Sequence, residues 1–234
     1  RTGQYHVFYD RLFDELGLDQ VALLVSGDES SYAELGPGFT RDLWRAILLS
    51  DYFTDARTGI RLCAREVGDA LAVFERAWQG VVAAFERGAV ELAAALERAR
   101  HMLAAIPRQR ALADVKKVLV VGEIYVRRDS FSVYELSEHL IGQGLFPKLS
   151  PVSEWLHYTD WARAQELDAT RRRDGWRAAL RPGPLAERLG LGLEMWWKRR
   201  VEREIREALV PTGLIPEAHE DLDAVMRFGT ETFI

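Results

Sequence analysis

Hydrophobic residues recur along this chain with the period of helices in some stretches and run together as short strands in others. Residues 4–17 place Val7, Phe8, Leu12, Phe13 and Leu16 on one helical face, with Gly17 as a C-terminal cap. VALLV at 21–25 predicts a short buried strand, and SGDESSYAELGPG at 26–38 a turn-rich loop. Thr40 is a good N-cap with Asp42 in the first turn, so RDLWRAILLSDYFTDA predicts a strongly apolar helix. Across residues 67–106, positions such as Val67, Leu71, Phe74, Trp78, Val81 and Phe85 follow steps of three or four, with Glu and Arg opposite. That is one long amphipathic helix or a helical hairpin. Gly88 is the best break, since glycine within a helix costs about 1 kcal/mol relative to alanine, and Pro107 ends the segment.

The pattern changes at residue 115. Apart from Lys116 and Lys117, every residue of VKKVLVVG is Val, Leu or Gly, as expected of a strand covered on both faces in a parallel sheet. A charged loop comes next, GEIYVRR at 122–128, then a helix SVYELSEHLIGQG that Ser130 or Asp129 can cap and that Gly142 and Gly144 close. LFPKLSPV reads as a second strand, at an edge because of its prolines, and EWLHY at 154–158 as a second charged loop. Residues 159–180 form a Trp- and Arg-rich helical patch, and Arg181-Pro-Gly-Pro184 is a breaker. After it comes a long helix with Leu185, Leu189, Leu193, Trp196, Val201 and Ile205 on one stripe, and with Glu194–Lys198 and Glu202–Arg206 at i,i+4 spacing. Pro211-Thr-Gly213 stops it, and residues 219–234 offer one more helix.

The fold class this predicts is α/β, with parallel-sheet pieces of flavodoxin or Rossmann type and long amphipathic helices. Residues 1–66 form a first, incomplete α/β piece, 67–111 a helical segment, and 112–234 a second α/β piece with a long C-terminal helix. A chain of 234 residues, 48% hydrophobic, can bury a full core. Its net charge of −5 argues against general affinity for nucleic acid, and Arg171-Arg172-Arg173 and Lys198-Arg199-Arg200, flanked by acids, read as solvated helix faces. No run approaches the roughly 20 apolar residues of a membrane span. With one cysteine, Cys63, the chain alone builds neither a disulfide framework nor a cysteine-ligated metal site, and the expected location is a reducing cytoplasm. Starting at Arg1 rather than Met, the chain is expected to be a piece of something longer.

Ligands of open α/β sheets lie outside the carboxyl ends of strands, which directs attention to the two charged loops. Gly122 permits close backbone approach, Arg127 and Arg128 offer donors to phosphate or carboxylate, and Glu123 is an acid/base or a partner for Arg127. Equally, Glu123 and Arg127 form a salt bridge that fixes the loop over Tyr125. Glu154 and His157 either face them from the next strand end or are solvated while Trp155 and Tyr158 close the core. The candidate ligand-binding residues are thus Glu123, Tyr125, Arg127, Arg128, Glu154 and His157, with no catalytic residue named. The five histidines show no paired metal spacing, so no metal is assigned. Cys63 reads as an inert buried thiol and Trp196-Trp197 as packing.

The block VLVVGEIYVRRDSFSVYELSEHLIGQGLFPKLSPVSEWLHY resembles a domain of the 2-hydroxyacyl-CoA dehydratase and CoA-enzyme activase superfamily. The likeness rests on the strand followed by Gly122-Glu123-Ile124-Tyr125-Val126-Arg127, on Phe131-Ser132, and on Glu154-Trp155 with Tyr158. RTGQYHVFYDRLFDELGL and GFTRDLWRAILLSDYFTDA look like further family segments. The resemblance implies a role beside one-electron chemistry. An ATP-driven activator domain or subunit passes an electron to a component holding a 4Fe–4S cluster, which reduces an acyl-CoA so that water leaves. The family's cluster cysteines would fall before Arg1 and beyond Ile234, and Val133 stands where an asparagine is usual. The resemblance therefore implies that this chain is a scaffold with a strand-end pocket, holding no cofactor by itself and not itself catalytic. The alternatives are a protein-interaction module built on the helices at 67–106 and 184–209, or an acyl-CoA or nucleotide binder using Arg127 and Arg128.

Overall fold

The structure, a computed structural model, describes residues 5–18, 20–21, 37–123, 126, 129–175 and 181–217. The chain divides into two compact units, Arg1–Trp44 and Arg45–Ile234. In the first, helix α1 spans Tyr5–Glu15. It closes as its spacing predicts: Gly17 takes φ 67° and the Leu18 N–H donates to the Phe13 carbonyl at 2.9 Å. Residues 22–36, with most of the VALLV strand and the turn-rich loop, lie outside the described residues, as do 219–234 with their expected helix.

Helix α2, Pro37–Cys63, starts ahead of Thr40, because Pro37 already has the φ of a first helical turn. It also runs on through Gly59 to Cys63. Leu48, Leu49, Phe53, Ala56, Ile60 and Cys63 are buried along one side of it. That side packs on α3, Val67–Phe85, where the Phe53 ring sits 5.8 Å from Phe74 and 4.9 Å from Trp78. Gly88, at φ 107°, separates α3 from α4, Ala89–Ala104, so residues 67–106 are a hairpin and not one helix. Gly59 is where α2 meets the segment after the last helix. A Cβ there would stand 1.9 Å from the Leu214 carbonyl oxygen, so only glycine allows the approach.

Strands β1, Lys117–Val120, and β2, Phe146–Leu149, pair in parallel with Lys117 opposite Phe146 and Val120 opposite Leu149. Helix α5, Ser130–Gly142, connects them as a βαβ unit. Asp129 is its cap, its carboxylate accepting from the Ser132 N–H at 2.9 Å, and Gly144 at φ 73° ends it. The described residues are therefore mostly helical with a small parallel sheet, which is α/β at a coarse level.

Three expectations do not hold. β1 is not covered on both faces: Leu119 is 62% exposed, and Val121 just beyond the strand is 67% exposed, so no described residue covers that face of the sheet there. EWLHY is not a loop, since helix α6, Val152–Asp174, contains Glu154 and His157 in its first two turns. The stripe of α7, Pro182–Leu209, is buried only in its C-terminal half, at Val201, Ile205 and Leu209. Leu189, Leu193 and Trp196 are more than half exposed, so Trp196 does not pack as its spacing suggests. The breaker at 181–184 acts as the start of this helix, with Pro182 in its first turn. Gly213 at φ 71° comes directly after the 3₁₀ turn, Val210–Thr212, that ends it. No described helix is long and apolar enough to cross a membrane.

Candidate functional site

Six polar residues of α2 share one helical stripe: Ser50 and Asp51, Thr54, Arg57 and Thr58, then Arg61. This stripe forms one wall of a cleft of about 500 Å³. Val133, Ser137, Glu138 and Ile141 of α5 form the opposite wall, and Pro147 and Leu149 of β2 the floor. The cleft therefore lies on the face of β2 that presents Pro147 and Leu149, between α2 and α5.

Its donors are unequally committed. Arg61 spends two parallel bonds on Glu138, at 2.5 and 2.6 Å. This contact holds the Glu138 carboxyl below its ordinary range, with the nearby charge of Arg57 acting in the same direction. Thr54 and Thr58 donate their hydroxyls to the carbonyls of Ser50 and Thr54, at 2.7 and 3.1 Å, leaving lone pairs towards the cleft. Arg57 makes no hydrogen bond or ion pair with a described residue. Its guanidinium is the cation this wall can offer to a ligand.

Asp51 joins the cleft to a buried polar network on its other side, for it lines both cavities. Its carboxylate accepts from the Ser153 N–H at 3.1 Å and the Val152 N–H at 3.3 Å, so it fills the N-terminus of α6. Beyond it, Lys148 of β2 pairs with buried Asp55, and the His157 imidazole donates to Glu202 of α7 at 2.8 Å. Burial, and then the charge of Glu202, push the Tyr52 phenol well above its ordinary range, so it stays protonated. The space among these groups is only about 70 Å³, room for a few waters. Lys148 with Asp55 and His157 with Glu202 are paired, and Asp51 is held by backbone N–H groups, so this network clamps α6, α7 and β2 onto α2.

The sequence-derived candidates are distributed unevenly over this arrangement. Glu154 and His157 line the buried network, Glu154 accepting from the Ser150 hydroxyl. Glu202 is turned to His157, while the predicted Glu194–Lys198 pair forms at 2.9 Å. Glu123 is exposed, accepts from the Val126 N–H at 2.9 Å, and lines neither cavity. Tyr125, Arg127 and Arg128 lie outside the described residues. Sequence reasoning passed over Asp51 and Arg57 because the apolar residues of α2 dominate its pattern, and took the stretch from Arg61 to Glu66 only as a loose fit to the family's arginine-led signature. The signal was present, as a polar stripe at steps of three and four on a helix otherwise destined for the core. No protein-family model, curated protein or solved structure matches the chain.

The residues present do not fit an iron–sulfur cluster. Such clusters take up to four thiolates, and the chain has one cysteine. Cys63 is fully buried, and burial pushes its thiol up against the opposing pull of Arg110 and Arg108. The described residues contain no group of three or more His, Cys, Asp or Glu arranged to hold a metal ion.

Proposed function

We propose that this chain is a non-catalytic scaffold that cradles the acyl group of an acyl-CoA, as part of a protein similar to the 2-hydroxyacyl-CoA dehydratases and their activases. On this reading β1–α5–β2 belongs to a flavodoxin- or Rossmann-like sheet. The 4Fe–4S cluster and the ATP-driven activator belong to other parts of the assembly. The observation that carries the proposal is Arg57, a guanidinium without a hydrogen bond or ion pair to a described residue, in a cleft of about 500 Å³ beside apolar Val133, Ile141 and Leu149. A short acyl chain suits the apolar wall, and its 2-hydroxyl and thioester oxygens suit a bidentate donor. The GEIYVR and EW motifs supply the family likeness; the ligand chemistry is argued from the cleft.

Titration calorimetry with a short 2-hydroxyacyl-CoA and with free CoA tests this. The acyl ester should bind more tightly than CoA, and Arg57→Ala should weaken it about tenfold, the worth of a charged hydrogen bond. Since Arg57 is exposed, its removal should leave the melting temperature unchanged. Equal binding of ester and CoA, or full affinity in Arg57→Ala, would overturn the proposal. A second reading, an interaction module, is favoured by the stripe Leu185, Leu189, Leu193 and Trp196, which is between 38% and 68% exposed. Self-association by sedimentation that Leu189→Glu/Leu193→Glu reverses would move the assignment to that reading.

A further inference from the structure

A second cleft, of about 740 Å³, opens between the segment after α4 and the turn after α7. Arg108, Arg110 and Lys117 line it, against one carboxylate, Glu217. A local excess of positive charge on a chain of net charge −5 calls for an explanation. Arg108 and Arg110 are two apart on a stretch tied to the end of α2 by the bridge from Ala64 to Arg108 and by the Gln109 N–H, which donates to the Cys63 carbonyl at 2.8 Å. Both arginine side chains line the cleft.

The anchoring of both side chains is unusual for arginines on a surface. Arg108 Nη1 donates to the Thr212 carbonyl at 2.9 Å, and Arg110 Nε to the Leu62 carbonyl at 2.7 Å. A carbonyl orients a guanidinium without neutralising it. Neither arginine forms an ion pair with a described residue, so each keeps several N–H donors while its position is fixed. The backbone yields space to this arrangement: a Cβ on Gly213 would stand 2.0 Å from Arg108 Nη1. The Lys117 ammonium makes no hydrogen bond or ion pair with a described residue, and adds a third cation. Oriented, unneutralised guanidinium groups are the usual recognition elements for phosphate.

We propose that this cleft binds the pyrophosphate group of a small phosphorylated ligand, with Arg108 and Arg110 forking onto its oxygens and Lys117 contributing charge. The site is separate from the Arg57 cleft and does not depend on the function proposed for it. Two sources share this chemistry, free inorganic pyrophosphate and a nucleoside diphosphate, and they are separable by experiment. Calorimetry on the full chain with inorganic pyrophosphate and with ADP, at low and high salt, provides the test. At least one should bind, more weakly as salt rises. Tighter binding of ADP than of pyrophosphate identifies a nucleotide site, and equal or weaker binding identifies the free ion. Lys117→Gln disturbs no described contact and should weaken binding several-fold. Arg108→Lys/Arg110→Lys, which keeps charge but loses the fork, should weaken it about tenfold or more. Arg57→Ala should leave it unchanged. The proposal is overturned if neither compound binds, or if Lys117→Gln binds both as tightly as the native chain. Should the double variant unfold, the Lys117→Gln comparison decides alone.

Discussion

Replacing Gly59 by alanine should destabilise this protein strongly, although alanine is the better helix former. In a helix interior the exchange normally gains about 1 kcal/mol. Here the new methyl carbon would stand 1.9 Å from the Leu214 carbonyl oxygen and 2.8 Å from its carbonyl carbon. An ordinary carbon–oxygen contact is more than about 3 Å, so backbone must move by roughly an ångström. The segment that must move is itself core: Leu209, Thr212, Leu214 and Ile215 are all buried. Overpacking costs about 1–3 kcal/mol, and losing about half of the burial of Leu214 and Ile215 adds about 1.5–3 kcal/mol for the two together. After the helix-propensity gain, a net loss of about 2–5 kcal/mol is expected. Gly80→Ala, within α3, is the control, since a Cβ there meets nothing within 4 Å and should stabilise by up to about 1 kcal/mol. Urea unfolding of both variants, followed by circular dichroism, measures the two signs. Because residues 210–216 border both the buried network and the basic cleft, Gly59→Ala should also weaken pyrophosphate binding. A Gly59→Ala protein as stable as the native chain would refute the close approach and the placement of both cavities built on it.

The Arg57 cleft and its neighbour give two further tests. Asp51→Ala removes the acceptor for two N–H groups of α6 in a buried setting and should cost about 1–3 kcal/mol in urea unfolding, whereas Asp51→Asn, which keeps one acceptor oxygen, should cost less. Glu138 has its carboxyl lowered by Arg61, so its contribution is present above the unfolded carboxylate value and is lost as pH falls through the lower folded one. With both side chains about a third exposed, the pair contributes only about 1 kcal/mol. The stability gap between the native chain and Glu138→Gln should therefore be present at neutral pH and shrink as the solution is acidified below the ordinary carboxylate range; a gap that widens in acid would contradict the pairing.

The helices and most of their ends could be read from the residues alone. Gly17, Gly88 and Gly144 stop helices through their own backbone freedom, and Asp129 caps α5 through a bond three residues away. Such signals are local, so no distant contact is needed to interpret them. The βαβ unit at 117–149 was legible for the same reason, as an apolar run, a capped amphipathic helix and a second run. Its cover was not, because whether Leu119 is buried depends on which segments lie against it.

The sites were decided by tertiary structure. Asp51 becomes the cap of α6 across 101 residues, which turns an expected loop at Glu154 and His157 into helix. Arg108 and Arg110 become an anion cleft only because carbonyls 104 and 48 residues away hold them. Local sequence determines where backbone can form its own hydrogen bonds. Which charged groups lose their solvent, and which keep a free donor, depends on partners that only folding brings within about 3 Å.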